Sequence, residues 1–143
     1  MKLVGDTVKF LFFLFMLLSA PSCDQLQDSE VPSVPFSFNI NLVIDNELSI
    51  PGNSKYYPFG GYGGVIVYCE TSDTYYAFDA TCTHELSTTC KVVNTGVLGE
   101  CKCCKSKFIL QGGGYPAEGL AEAPLRQYYV SRINSSTLRV YNK

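Results

Sequence analysis

Two short cysteine-bearing segments constrain this chain more than anything else in it. Cys82-Thr83-His84 and Cys101-Lys102-Cys103-Cys104 are separated by sixteen residues, from 85 through 100. Each puts two soft or borderline donors on a short loop, and a hairpin-like return between them brings both loops around one centre. Together Cys82, His84, Cys101 and Cys104 offer three thiolates and one imidazole. That set suits an iron–sulfur cluster or a tetrahedral zinc. The chain has 143 residues, enough for one domain with its own core and not for two.

Residues 1–22 read as a targeting segment. Lys2 and Lys9 supply the positive flank, and Phe10 to Ala20 is a run of eleven residues, apolar but for Ser19. That run is too short to span a bilayer and suits the apolar region of a signal peptide. Ser19, Ala20 and Ser22 then lead into Cys23. A short apolar region, small residues and a cysteine resemble the lipobox of bacterial lipoproteins. The resemblance implies that Cys23 becomes the acylated N-terminus and that residues 23–36 form a lipidated tether. The domain would then stand outside the cytoplasm, anchored by lipid to a membrane of the cell envelope. The alternative is an ordinary secretory signal followed by an unrelated cysteine. Cleavage removes Lys2, Lys9 and Asp6 from the eleven basic and thirteen acidic residues, leaving nine and twelve and a net charge of −3. Nothing in that charge suggests nucleic acid, which would need a basic face. Six cysteines remain beyond Cys23, and outside the cytoplasm thiols oxidise unless buried or bound to metal. Most of Cys69, Cys82, Cys90, Cys101, Cys103 and Cys104 are therefore expected to be paired or ligated.

Beyond the tether the sequence reads as short strands. Residues 36–44 alternate apolar and polar positions before turning apolar, as a strand entering a core does. Residues 48–50 suggest a short return strand stopped by Pro51-Gly52, and 52–64 a loop rich in Gly and Tyr. Two β-branched and aromatic runs, 65–70 and 75–80, flank Thr71-Ser72-Asp73-Thr74 as a hairpin. Residues 126–133 and 137–141 flank Asn134-Ser135-Ser136 as another. No window carries the 3.6-residue period of an amphipathic helix. The expected fold is all-β, a small antiparallel sandwich or partial barrel, with a metal-binding insertion at about 80–119.

Here the sequence is similar to the Rieske family. Its pattern is Cys-x-His, about sixteen residues, then Cys-x-Cys-His-Gly-Ser-x-Phe/Tyr. Cys82 and His84 match the first box; Cys101, Cys103, Ser106 and Phe108 match the second. Gly119 to Leu125 is similar to the family's Pro-containing cover loop, and the resemblance runs over about residues 38–141. It implies a Rieske-type domain over 37–143 and a [2Fe–2S] cluster on Cys82, His84, Cys101 and Cys104, with Ser106 and Phe108 around the ligands. The departures are specific. Cys104 stands where the second histidine ligand belongs and Lys105 where the following glycine belongs. The family's loop-stapling disulfide corresponds to Cys90–Cys103, although Cys90 lies eight residues after Cys82 rather than five. Cys69 is then left as a small buried hydrophobe on a strand.

An imidazole exchanged for the Cys104 thiolate adds negative charge to the site and lowers a cluster's potential. Phe108, lacking a tyrosine hydroxyl, removes a hydrogen bond that would raise it. Lys102, Lys105 and Lys107 oppose this, or else form a solvated loop face. Three readings stay open: a membrane-tethered electron-transfer protein with a Cys3His cluster and a redox protein partner; an envelope module with structural zinc; or three disulfides and no metal. Zinc and disulfides gain support from a leader that lacks the paired arginines of folded export. An independent catalytic site is not expected, because His84 is the chain's single histidine. Gly112-Gly113-Gly114 opens no helix, so it is a turn and not a nucleotide cradle. At most the protein would be an electron-transfer component of an oxidoreductase.

Overall fold

The computed structural model describes residues 29–143. The expected leader, Cys23 and residues 24–28 of the tether lie outside them. Ten strands follow in order: β1 Phe36–Asn41, β2 Ser54–Tyr57, β3 Val65–Cys69, β4 Tyr75–Asp79, β5 Val92–Thr95, β6 Leu98–Cys101, β7 Lys107–Ile109, β8 Tyr115–Glu118, β9 Gln127–Asn134 and β10 Thr137–Asn142. They form a six-stranded sheet, β1-β10-β9-β4-β3-β2, and a four-stranded sheet, β5-β6-β7-β8. Every pairing is antiparallel. The expected all-β partial barrel is what the chain adopts, and the smaller sheet interrupts the larger one between β4 and β9. Among the described residues no helix is long and apolar enough to cross a membrane.

The continuous apolar run of β3 is explained by burial on both faces. Alternate side chains of a strand point to opposite sides, and here each side meets its own core. Ile66 and Tyr68 pack with Phe78, Leu110, Phe108 and Leu125 beneath the small sheet. Val65 and Val67 pack with Ile40, Tyr128, Leu138 and Val140 inside the curl of β1, β10 and β9. Phe78 is fully buried, which contributes about 2–3 kcal/mol of hydrophobic stabilisation.

One buried carboxylate ties the end of β4 to the Gly/Tyr loop. Asp79 accepts from Tyr62 N (2.6 Å), Gly63 N (3.0 Å), Thr81 N (2.8 Å) and the Tyr128 hydroxyl (2.6 Å). The loop comes this close because residue 61 is glycine with φ +66°. A Cβ there would stand 2.6 Å from the Asp79 Oδ2. Burial, then hydrogen bonding to Asp79, raises the pKa of Tyr128, keeping its hydroxyl protonated as a donor.

Three strand expectations are corrected. Residues 42–44 turn away from β1: Asn41 Oδ1 accepts from Val43 N, Asn41 O accepts from Ile44 N, and both apolar side chains are exposed. Residues 48–50 belong not to a return strand but to a 3-10 turn, Asn46–Ser49, and the residue after it. The supposed loop 52–64 contains β2, paired with β3 from Ser54↔Tyr68 to Tyr57↔Val65.

Candidate metal centre

β4 delivers the first half-site and β6 the second. Thr81 bridges Lys91, Val92 N donates to Ala80 O (2.7 Å) and Cys82 N to Cys90 O (3.2 Å), so loop 82–90 leaves and returns at one point. Cys101 closes β6, and the turn after it is held by Cys101 N to Ser106 O (2.9 Å) and Lys105 N to Cys101 O (3.1 Å). Lys105 sits in that turn with φ +63°, the one positive φ outside glycine among the described residues. A side chain there costs about 1 kcal/mol that glycine would not. The two loops are joined directly: Lys102 N donates to Lys91 O (3.1 Å), and Cys90 and Cys103 are disulfide-bonded with their Cα atoms 5.5 Å apart. Cross-linking residues 13 apart constrains the unfolded chain by about 3 kcal/mol.

Between the loops three sulfurs meet. The Sγ atoms of Cys82, Cys101 and Cys104 all lie within 4.8 Å of one another, and Cys82 Sγ is 3.5 Å from Cys104 Sγ. Cys82 and Cys101 are fully buried in the wall that also holds Phe108, Ala121 and Leu125; Cys104 is half-buried. His84 is exposed, and its ring stands outside the sulfur group. The four expected ligands are therefore brought together only in part: three sulfurs converge and the imidazole lies on the solvent side. Cys69 lies elsewhere, buried at the end of β3, where burial raises its thiol pKa and its Sγ donates to Thr71 O (3.2 Å).

Polar groups around the sulfurs are aimed at them. Burial pushes the Cys82 thiol up to about 12, and the sulfurs of Cys101 and Cys104 add to this. The backbone amides of Glu85 and His84, directed at Cys82, work the other way. Burial is the largest single influence on Cys104 and acts to raise it, but the Ser106 hydroxyl and amide, together with the sulfurs of Cys82 and Cys101, leave Cys104 below the ordinary thiol range. Ser106 Oγ accepts from Leu120 N (2.9 Å) and Ala121 N (3.0 Å) and lies 3.1 Å from Cys104 Sγ. A hydroxyl has two lone pairs and one hydrogen. The amides fill the lone pairs, so the hydrogen is left for the Cys104 sulfur. The cover loop packs this tightly because residue 119 is glycine with φ +100°. A Cβ there would stand 2.6 Å from Ser106 Cα. Thr83, which the motif does not single out, binds the same loop from the other half-site through Ala123 O (2.7 Å).

Three soft sulfurs facing one another, with no carboxylate in the group, fit a thiophilic metal. A tetrahedral ion with 2.3 Å bonds to sulfur sets its ligands about 3.8 Å apart, close to the Cys82–Cys104 separation. A two-iron cluster uses the same donor types and needs the Cys104 side of the site to stand further from the Cys82 side.

Two antiparallel sheets that hold a pair of disulfide-joined loops over a shared core define a Rieske-like fold. Solved structures of that class superpose on the chain. The ferredoxin of carbazole 1,9a-dioxygenase from Nocardioides aromaticivorans matches with a TM-score of 0.51 and 21% identity, over 78% of this chain and 100% of its own. A chain in the complex of reduced oxygenase and oxidized ferredoxin of carbazole 1,9a-dioxygenase matches with a TM-score of 0.53 and 22% identity, over 73% and 92%. At these identities the likeness is one of fold. No protein-family model matches the sequence, and neither does any curated protein.

Proposed function

We propose that this chain is a Rieske-type electron-transfer protein of the bacterial cell envelope, tethered by lipid on Cys23. The observation that carries the reading is the convergence of the Cys82, Cys101 and Cys104 sulfurs from two stapled loops. A [2Fe–2S] cluster held by these sulfurs and His84 would supply one-electron chemistry. The residues around it have defined work. Cys82 and Cys101, fully buried, exclude water from one side. The amides of His84 and Glu85 and the Ser106 hydroxyl direct hydrogen bonds at the sulfurs, which offsets their negative charge. His84 marks the edge nearest solvent, with Leu86 on the first loop and Leu120 on the cover loop exposed as well. That edge suits a redox protein partner, as a ferredoxin in the related structure meets an oxygenase.

The 3.5 Å separation of Cys82 and Cys104 favours a second reading, a single structural zinc on the same sulfurs. Anaerobic purification with metal and sulfide analysis separates the two. The cluster predicts about two irons and two acid-labile sulfides per chain, with visible absorption that bleaches on reduction. One zinc in a colourless protein would replace it with the second reading, and no metal at all would defeat both. The tether makes its own prediction. Wild-type protein is expected to take up a radiolabelled fatty acid and Cys23→Ala to take up none, because the acyl chains are carried by that residue. If the wild-type chain takes up no label, the lipid anchor is wrong.

A further inference from the structure

The three thiols are arranged for a reaction among themselves as well as for metal. Cys82 Sγ and Cys104 Sγ are in contact at 3.5 Å. Their loops are already joined by Cys90–Cys103, so neither sulfur has to search for the other. Cys104 is the half-buried member, open to a solute, while Cys82 lies behind it with no exposure. Cys101, also fully buried, is held at the base of the turn that carries Cys104 by its 2.9 Å bond to Ser106 O.

We propose that the metal-free site closes as a second inter-loop disulfide, Cys82–Cys104, which blocks metal loading until a dithiol reductant reopens it. The covalent step stands on the sulfur geometry; the block on loading rests on the reading of the site as a metal centre. The oxidant is a low-molecular-weight disulfide. Cys104 attacks one of its sulfurs, forming a mixed disulfide and displacing the first small thiol. Cys82 then attacks the Cys104 sulfur, forming the Cys82–Cys104 bond and displacing the second. Two electrons pass from the two cysteines to the external disulfide, and the two cysteine protons end on the released thiols. The closed form retains Cys101 as the one free sulfur of the three, too few for a thiolate site. Metal binding and disulfide closure therefore compete for one pair of sulfurs wherever the chain meets an oxidising medium.

The test uses the full chain, stripped by chelator under conditions that keep Cys90–Cys103 bonded, then exposed to oxidised glutathione. The expected result is the loss of two thiols, a cross-linked Cys82–Cys104 peptide and no retained glutathione. Cobalt(II) uptake, read by thiolate-to-cobalt absorption, should fall about tenfold or more and return with dithiothreitol. Cys101→Ser should still lose two thiols, whereas Cys82→Ser should keep glutathione on Cys104. A Cys101–Cys104 cross-link, a lasting glutathione adduct on the wild-type chain, or an unchanged thiol count would overturn the proposal. If the peptide forms while the reduced chain takes up no cobalt, the disulfide stands and the metal reading falls.

Discussion

Asp79→Ala is expected to lower the unfolding free energy by about 4 kcal/mol. The carboxylate is fully buried and is the shared acceptor of three backbone amides and the Tyr128 hydroxyl. Removing it relieves the cost of burying a charge but strands four donors, three of them in bonds that are fully buried. A buried donor without an acceptor costs about 1–3 kcal/mol. The four do not add in full, because neighbours in one network are coupled and a water can enter the space left behind. Asp79→Asn keeps the shape and one acceptor oxygen but turns an NH2 toward N–H groups, so it should fall between wild type and alanine. Tyr128→Phe removes a single partner and should cost about 1.5–3 kcal/mol. Tyrosine fluorescence in a urea titration reads all three variants, since the chain has ten tyrosines and no tryptophan. A loss below about 1 kcal/mol for Asp79→Ala would mean that the loop 60–64 is anchored by something else. The consequence reaches the sulfur site, because Asp79 accepts from Thr81 N and Thr81 bridges Lys91 at the base of the Cys82 loop.

None of that network can be read from the sequence, and the reason is physical. Three of its four donors are backbone amides, at 62, 63 and 81, and backbone groups carry no side-chain signature. The elements that were legible are those where side-chain pattern and turn chemistry agree. β3 and β4 are β-branched and aromatic around a polar turn, and β9 and β10 close over Asn134, whose side chain accepts from Ser136 N (3.0 Å). Where the two signals conflict, the local backbone bonds win. The apolar residues 42–44 promised more strand, yet the Asn41 side chain and carbonyl cap the strand and send Val43 and Ile44 outward. β2 was hidden because its polar Lys55 is matched outside the core, by Asp45 (2.9 Å) and Glu47 (2.8 Å). In the site, cysteine spacing is enough to predict that two loops meet, since strands β5 and β6 fix the return. The direction of the His84 ring is different: it sits in the loop between Cys82 and Cys90, and spacing alone does not orient a loop side chain.

In the iron-loaded protein, Cys104→His is expected to raise the reduction potential by about 125–350 mV. The estimate takes half the interval between four-thiolate clusters near −400 mV and two-imidazole clusters at about −150 to +300 mV, since one ligand changes. A neutral imidazole removes one negative charge from the site, and that charge opposes the arriving electron. Part of the gain is returned, because the Ser106 hydroxyl, 3.1 Å from the Cys104 sulfur, loses the acceptor at which its hydrogen is aimed. Ser106→Ala in the otherwise unchanged chain isolates that contribution and should lower the potential, because the sulfur then keeps its full charge. Protein-film voltammetry reads both variants, and the visible spectrum reports whether the cluster survives. A potential unmoved by Cys104→His, in a protein that still holds its iron, would remove Cys104 from the ligand set. The sulfurs of Cys82 and Cys101 would then share the iron with a group other than the third member of their cluster.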